Sequence, residues 1–208
     1  MKILIVGTHR SGTTSLLRGI SEQGYNKISE PFNRRFRDKL YDYPIDEVRA
    51  NKFICVKSII TQVPNTENRN PIKFYYQWSK DFDKTILLDR LDESEHWLSY
   101  CNLLNKTFNS GSDKLHDSWY KEEITSDVEE KLISSGYKEE LKKEKVFINE
   151  LSETLKIPIT YYENLFSFDR DHSLRTINEM GLFLNSIKLL NYLDPNKKYM
   201  RLGRKTMI

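Results

Sequence analysis

Residues 2–22 read KILIVGTHRSGTTSLLRGISE, and this stretch indicates the fold. Its first part, 2–6, carries a continuous apolar run, which is typical of a strand buried on both faces of a parallel sheet. Its last part, 13–22, places three aliphatic residues at helical spacing and is soon followed by a glycine that can end a helix. A strand, a turn bounded by glycines and a helix, in this order, predict the start of a βαβ unit.

Strand and helix candidates alternate along the rest of the chain. Further strands are predicted at 27–29, 52–60, 85–88 and 159–162, and helices at 71–82, 93–104, 126–156 (with a break near 134–136), 174–184 and 187–193. This alternation predicts an α/β fold with three layers, in which helices flank a mostly parallel central sheet. We expect a single domain over residues 1–208, with a long irregular segment at 105–125 on the substrate side and a basic tail at 195–208.

Composition excludes several classes of protein. The 208 residues suffice to bury one core, and 33 basic against 30 acidic residues leave a net charge of only +3. So small an excess does not indicate a nucleic-acid binder, although it leaves room for a local basic pocket. Cys55 and Cys101 form no CxxC pair, which argues against a zinc site or a disulfide scaffold. The first apolar run is too short for a membrane span or a signal peptide, so we expect a cytoplasmic protein.

The segment GTHRSGTT at 7–14 lies between the first predicted strand and helix. Its spacing is that of the phosphate-binding motif G-x-x-x-x-G-K-[ST], except that Thr13 replaces the lysine. Its glycines allow backbone N–H groups to converge on an anion at the helix N-terminus. Thr13 and Thr14 add hydroxyl donors, and Arg10 adds a permanent positive charge. The segment therefore predicts an anion-binding loop.

The same segment resembles the 5′-phosphosulfate loop of the sulfotransferases, in which R-S-G-[ST]-[ST] replaces the lysine pattern. The resemblance implies a P-loop-like sulfotransferase fold and the cofactor 3′-phosphoadenylyl sulfate (PAPS), used without a metal. The residues that it implies for the phosphosulfate end are His9, Arg10, Ser11, Gly12, Thr13 and Thr14.

Other segments resemble the family in the same order along the chain. An arginine at a strand end, followed by a serine on the next helix, binds the 3′-phosphate in that family. This pattern implies such a role for Arg90 and Ser99, with Ser94 as the alternative because the spacing to Ser99 is one residue longer. FICVK at 53–57 is similar to an F-G-V-K strand, and YENL at 162–165 is similar to a Y-E-[DN]-L segment.

SEPF at 29–32 resembles the E-P-[FL] segment of carbohydrate sulfotransferases, whose glutamate serves as base for the acceptor hydroxyl. This implies that Glu30 takes the acceptor proton and that the acceptor is a carbohydrate or another small molecule. A carboxylate is a weak base, so we expect burial to raise the pKa of Glu30. His116 is the alternative base. Lys57 either faces the sulfuryl group or pairs with an acid.

Two other functions stay open from the sequence. TILLD at 85–89 is similar to the strand whose aspartate, Asp89, would help hold Mg²⁺ in a P-loop kinase. The chain is alternatively a non-catalytic module that binds an anion or a nucleotide.

Overall fold

The computed structural model describes residues 1–33, 45–64, 70–110, 124–182 and 184–193. The strands are β1 (Lys2–Gly7), β2 (Asn26–Ser29), β3 (Ile54–Ile59), β4 (Lys84–Asp89) and β5 (Ile159–Tyr161). The helices are α1 (Thr13–Ser21), α2 (Ile45–Ala50), α3 (Pro71–Trp78), α4 (Glu93–Ser110), α5 (Ser126–Ser134), α6 (Tyr137–Leu155), α7 (Tyr162–Leu165), α8 (Arg170–Glu179) and α9 (Ser186–Leu193). Within these ranges, no helix is both long enough and apolar enough to cross a lipid bilayer.

All five strands form one parallel sheet in the order β2-β3-β1-β4-β5. Strand β1 lies at its centre, where Ile3 pairs with Cys55 of β3 on one side and with Lys84 of β4 on the other. A helix lies in every connection between consecutive strands. The structure therefore confirms the predicted α/β fold with a parallel central sheet and flanking helices.

The side chains of β1 alternate between two hydrophobic clusters. Ile3 and Ile5 pack with residues of α1, α8 and α9, whereas Leu4 and Val6 pack with residues of α3 and α6. All four side chains are fully buried. Because helices cover both faces of the sheet, a central strand has no solvent-facing position, which explains the continuous apolar run.

Helix α6 connects the sheet to a third hydrophobic cluster. Its Ile148 and Leu151 pack in the cluster beneath the sheet, while its Leu141 packs with Leu132 of α5 and Leu104 of α4. The predicted break before α6 is confirmed, since α5 ends at Ser134 and α6 begins at Tyr137. Helix α6 therefore packs on the sheet as well as on α4 and α5, and its residues 144 and 145 contact the carboxyl ends of β1 and β4.

Two predicted segments have wrong boundaries. The helix predicted at 174–184 runs from Arg170 to Glu179, because the Asp169 carboxylate accepts the backbone N–H groups of residues 171 and 172 and starts the helix earlier. The segment predicted as irregular at 105–125 is helical at its start, because no Gly or Pro interrupts α4 before Ser110. Its remainder at 111–123 lies outside the described residues, as does the tail at 195–208.

Candidate functional site

The loop between β1 and α1 lies at the carboxyl edge of the sheet. From β1 the chain continues towards β2 on one side, whereas from the neighbouring β4 it continues towards β5 on the other. Adjacent parallel strands whose connections diverge in this way leave a crevice at their carboxyl ends, where open α/β sheets usually bind ligands. The candidate site is therefore the loop at 7–14 together with the carboxyl ends of β2, β3 and β4.

The shape of the loop requires its two glycines. Gly12 has φ +87°, and a Cβ atom there would lie 2.6 Å from Cε2 of Phe166. A Cβ atom on Gly7 would lie 2.8 Å from the carbonyl oxygen of Leu88. Arg10 also adopts a left-handed conformation, with φ 63°, which costs a non-glycine residue about 1 kcal/mol. The backbone is thus folded tightly around the start of α1.

Two hydroxyl groups of the loop are used to hold it in place. Thr8 donates its hydroxyl to Oδ1 of Asp89 at 2.8 Å, and its N–H to the carbonyl of Leu88 at 3.2 Å. The hydroxyl of Ser11 donates to the carbonyl of Thr8 at 2.8 Å. Thr8 and Ser11 are both fully buried. The side chain of Ser11, which the resemblance places at the cofactor, therefore stabilises the turn itself in this structure.

The first turn of α1 presents open donors. Its first intrahelical bond runs from the N–H of Leu16 to the carbonyl of Gly12 at 3.0 Å, and no side chain caps the helix at Gly12. The N–H groups of residues 12–15 precede that bond and lack an intrahelical acceptor. Together with the helix dipole, they favour an anion at this end of α1.

Two cations border this turn. Arg10 is partly buried and donates from Nε to the hydroxyl of Ser99 at 3.0 Å. Lys57, at 3% exposure, reaches across from β3 and donates from Nζ to the hydroxyl of Thr14 at 3.1 Å. Burial lowers the pKa of Arg10 and of Lys57, because desolvation disfavours the charged form. Positive charge is therefore concentrated at the loop although Thr13 replaces the motif's lysine.

Glu30 follows β2 and forms an ion pair with Lys57. One carboxylate oxygen accepts from Nζ of Lys57, and the other accepts from Asn33 at 2.5 Å and from Gln62 at 3.1 Å. Burial alone would raise the pKa of Glu30, but the ammonium of Lys57 and these donors outweigh it and hold the pKa at about 2. The prediction of a raised pKa is therefore wrong, because the charge of Lys57 and the hydrogen bonds to the carboxylate together outweigh desolvation.

The two residues predicted for the 3′-phosphate have different partners. Arg90 donates from Nε to Glu163 at 3.3 Å, and its guanidinium lies 4.5 Å from the ring centroid of Tyr162. Ser99 contacts Arg10 of the loop, whereas Ser94 is exposed in the first turn of α4. The structure thus joins Ser99 to the anion loop and Arg90 to the YENL segment. Their shared phosphate site stays a prediction.

Sequence reasoning missed a buried carboxylate beneath the loop. Glu144 of α6 is 3% exposed, and its oxygens accept from the backbone N–H of His9 at 2.8 Å, from Nδ1 of His9 at 2.6 Å and from the hydroxyl of Thr61 at 2.9 Å. The sequence contains an indication of this burial, because Glu144 has the same helical spacing as Leu141 and Ile148 and so lies on the apolar face of α6. A carboxylate in a core position of a helix indicates a specific partner.

A second group of residues fixes the end of β4. Asp89 accepts from Thr8 on Oδ1 and from Nζ of Lys145 on Oδ2 at 3.2 Å. His96 donates from Nε2 to the carbonyl of His9 at 2.5 Å, and burial lowers the pKa of His96. Both carboxylate oxygens of Asp89 therefore have donors from the chain itself, so Asp89 holds the loop to β4.

The chain matches no protein-family model, and no curated protein matches it significantly. His116, the alternative base, lies outside the described residues. In the parts of the chain that are described, no three His, Cys, Asp or Glu side chains are grouped as they would be to hold a metal ion.

Proposed function

We propose that this protein is a sulfotransferase that moves the sulfuryl group of PAPS to an acceptor hydroxyl of a carbohydrate. The observation that carries the proposal is Arg10, a partly buried cation of the loop whose side-chain partner is the neutral hydroxyl of Ser99. Within the described ranges, no carboxylate pairs with it. A partly buried charge that lacks a counter-ion is costly, and a bound anion supplies that counter-ion.

Charge at the loop favours sulfuryl transfer over phosphoryl transfer. In P-loop kinases, a hydroxyl at the position of Thr14 and an aspartate at the position of Asp89 serve Mg²⁺. In this chain, the ammonium of Lys57 lies 3.1 Å from the Thr14 hydroxyl, and Asp89 pairs with Lys145. At both residues, an ammonium group therefore stands where a kinase would hold its divalent cation.

The reaction is an in-line displacement in which the acceptor oxygen bonds to sulfur as the bond from sulfur to the phosphate oxygen breaks. The leaving phosphate gains negative charge, which the N–H groups of α1, Arg10 and Lys57 are positioned to neutralise. Glu30 holds Lys57 beside the loop through their ion pair. For Glu30 itself to act as the predicted base, Lys57 would first have to leave its carboxylate.

The proposal is tested by ligand binding and by transfer. Titration calorimetry compares 3′-phosphoadenosine 5′-phosphate (PAP), the product, with ATP–Mg²⁺, and radiolabelled PAPS is offered with a panel of desulfated glycosaminoglycans and methyl glycosides. We expect PAP to bind and label to reach a glycan. Arg10→Ala should slow the transfer by roughly 10²–10³-fold, as for loss of a preorganised donor. Arg49→Ala is the matched control, because its side chain is 64% exposed.

The two alternative functions, a kinase and a non-catalytic binding module, predict different results in these experiments. Tight binding of ATP–Mg²⁺ without binding of PAP would identify a kinase. Binding of PAP without transfer to any acceptor would identify a binding module. Either result would overturn the proposed transfer.

A further inference from the structure

The phosphate loop carries a histidine whose ring is held by two neighbours. Nδ1 of His9 lies 2.6 Å from Oε1 of Glu144, and the ring stacks on Tyr100 with centroids 5.2 Å apart and planes at 29°. The carboxylate of Glu144 is 3% exposed, whereas the side chain of His9 is 27% exposed. One edge of the imidazole therefore faces a buried carboxylate while part of the ring reaches solvent.

The hydrogen bonds of Glu144 define where the ring proton lies. Glu144 also accepts from the backbone N–H of His9 and from the hydroxyl of Thr61. An ionised carboxylate only accepts, so Nδ1 of His9 carries the hydrogen and Nε2 of the neutral ring carries the lone pair. In the described part of the chain, Nε2 has no hydrogen-bond partner. This is the arrangement of a base that a carboxylate orients.

His9 also lies near Glu30, the base that the sequence predicts. Thr61 and Gln62 are consecutive residues, and they donate to Glu144 and to Glu30 respectively. The dyad of His9 and Glu144 and the ion pair of Glu30 therefore meet at the same short segment after β3. Of these candidate bases, Glu30 already accepts from three side chains, whereas Nε2 of His9 is open.

We propose that His9, oriented by Glu144, is the base that removes the proton of the acceptor hydroxyl; this inference rests on the proposed sulfuryl transfer. The proton passes to Nε2, and the electron pair of the O–H bond forms the new bond to sulfur. The electron pair of the broken S–O bond leaves on the phosphate of PAP. The imidazolium that results lies against the Glu144 carboxylate and later returns its proton to water.

The groups around His9 come from three elements. Glu144 belongs to α6, and Lys145 beside it pairs with Asp89 of β4. Helix α4 contributes the ring of Tyr100 and also His96, which donates to the backbone carbonyl of His9. Of these charged groups, the Glu144 carboxylate is the one that contacts the ring itself, so it is the group that orients the ring.

Two substitutions distinguish the role of His9 as the base from the role of Glu144 as the carboxylate that orients it. His9→Asn keeps an amide donor for Glu144 in the place of Nδ1 but lacks the nitrogen that takes the proton. Glu144→Gln keeps the size and part of the hydrogen bonding but removes the charge. His172→Asn is the control, because His172 lies on α8 and, within the described part of the chain, donates through its backbone N–H to Asp169.

Transfer from radiolabelled PAPS to the glycan panel is measured between about pH 5 and pH 9, with PAP affinity measured in parallel. We expect the wild-type rate to rise with pH to a plateau. His9→Asn should remove that rise and slow the transfer by roughly 10²–10⁴-fold while PAP affinity changes less than about threefold. Glu144→Gln should lower the plateau rate with little change in PAP affinity, because it weakens the hydrogen bond that orients the ring, and His172→Asn should leave the profile unchanged.

A second readout does not depend on turnover. Nitrogen-15 NMR of the ring should show hydrogen on Nδ1 and an unprotonated Nε2 at high pH in the wild type. The opposite tautomer would overturn the inference, as would a His9→Asn variant that transfers sulfate within about threefold of wild type. Equal losses of PAP affinity and of transfer rate would show that His9 only positions the loop, and this result would overturn the inference as well. If wild type neither binds PAP nor transfers label, the proposed function itself fails, and that result is distinct from all of these.

Discussion

Replacing Glu30 with glutamine should remove a pH-dependent part of the folding free energy. The pKa of this carboxyl falls from 4.5 to about 2 in the folded protein, because Lys57 and two amide donors outweigh its burial. At about 1.4 kcal/mol per pH unit, this difference contributes about 3 kcal/mol of stability at pH 7. Since the folded pKa is the lower one, the contribution is present above pH 4.5 and is lost as the pH falls towards 2. At pH 3 about 1.4 kcal/mol remains.

The buried ammonium of Lys57 opposes part of this gain. Burial lowers the pKa of Lys57 in spite of its ion pair with Glu30, so burying the ammonium has a cost that offsets part of the carboxylate's gain. Because the pKa of Lys57 is the lower one in the folded chain, this cost is present at acidic pH and disappears as the pH rises through the pKa of the unfolded lysine. The net stabilisation by the pair is therefore below about 3 kcal/mol at pH 7.

The assay is urea unfolding of wild type and Glu30→Gln at several values from about pH 7 to pH 3. We expect the difference in unfolding free energy to fall by about 2 kcal/mol over this range, because all other carboxyl groups titrate equally in the two proteins. Glu139→Gln is the control, since its pair with Lys142 is exposed to solvent and screened. A difference for Glu30→Gln that is equal at pH 7 and at pH 3 would refute the ion pair.

Three further predictions follow from the loop. Arg10→Met should leave the melting temperature of the ligand-free protein unchanged or raised, because Arg10 has a neutral hydroxyl as its partner, but it should abolish the rise in melting temperature with PAP. Arg90→Met should lower the melting temperature, because Arg90 has a carboxylate partner. Gly12→Ala should destabilise the fold by more than Gly24→Ala in urea unfolding: both glycines have positive φ, which costs about 1 kcal/mol, but a Cβ at Gly24 meets nothing within 4 Å. Ser99→Ala should weaken PAP binding by roughly 5- to 10-fold in calorimetry, because it removes the hydroxyl that orients the Arg10 guanidinium; unchanged affinity would contradict this role.

The fold could be predicted because its determinants are local in sequence. The strands in the middle of the sheet are short apolar runs, and α3 begins at Pro71, whose missing N–H costs nothing in a first turn. Asn70 adds a cap that accepts from the N–H groups of residues 72 and 73. Helix ends were harder to predict where a single side chain decides them, as Asp169 does for α8.

The loop was predictable, but its partners depend on how distant elements meet. The ion pair of Glu30 and Lys57 follows from the register of β2 against β3, in which Ser29 lies opposite Lys57. The sequence alone does not define that register, so it did not predict which acid Lys57 faces. Glu144 lies 135 residues from its partner His9, and only the packing of α6 on the sheet brings the two together.

The distribution of charge explains why these distant partners matter. Among the described residues, three carboxylates at the loop form ion pairs: Glu30 with Lys57, Asp89 with Lys145, and Glu163 with Arg90. A fourth, Glu144, accepts hydrogen bonds from the ring and the backbone N–H of His9. In the three ion pairs, each charge is largely offset by its partner. In the described residues, Arg10 is the loop cation outside this pairing, and it lies beside the unfilled N–H groups of α1. Pairing the surrounding carboxylates thus directs the attraction for an anion to the one place where the leaving phosphate would lie.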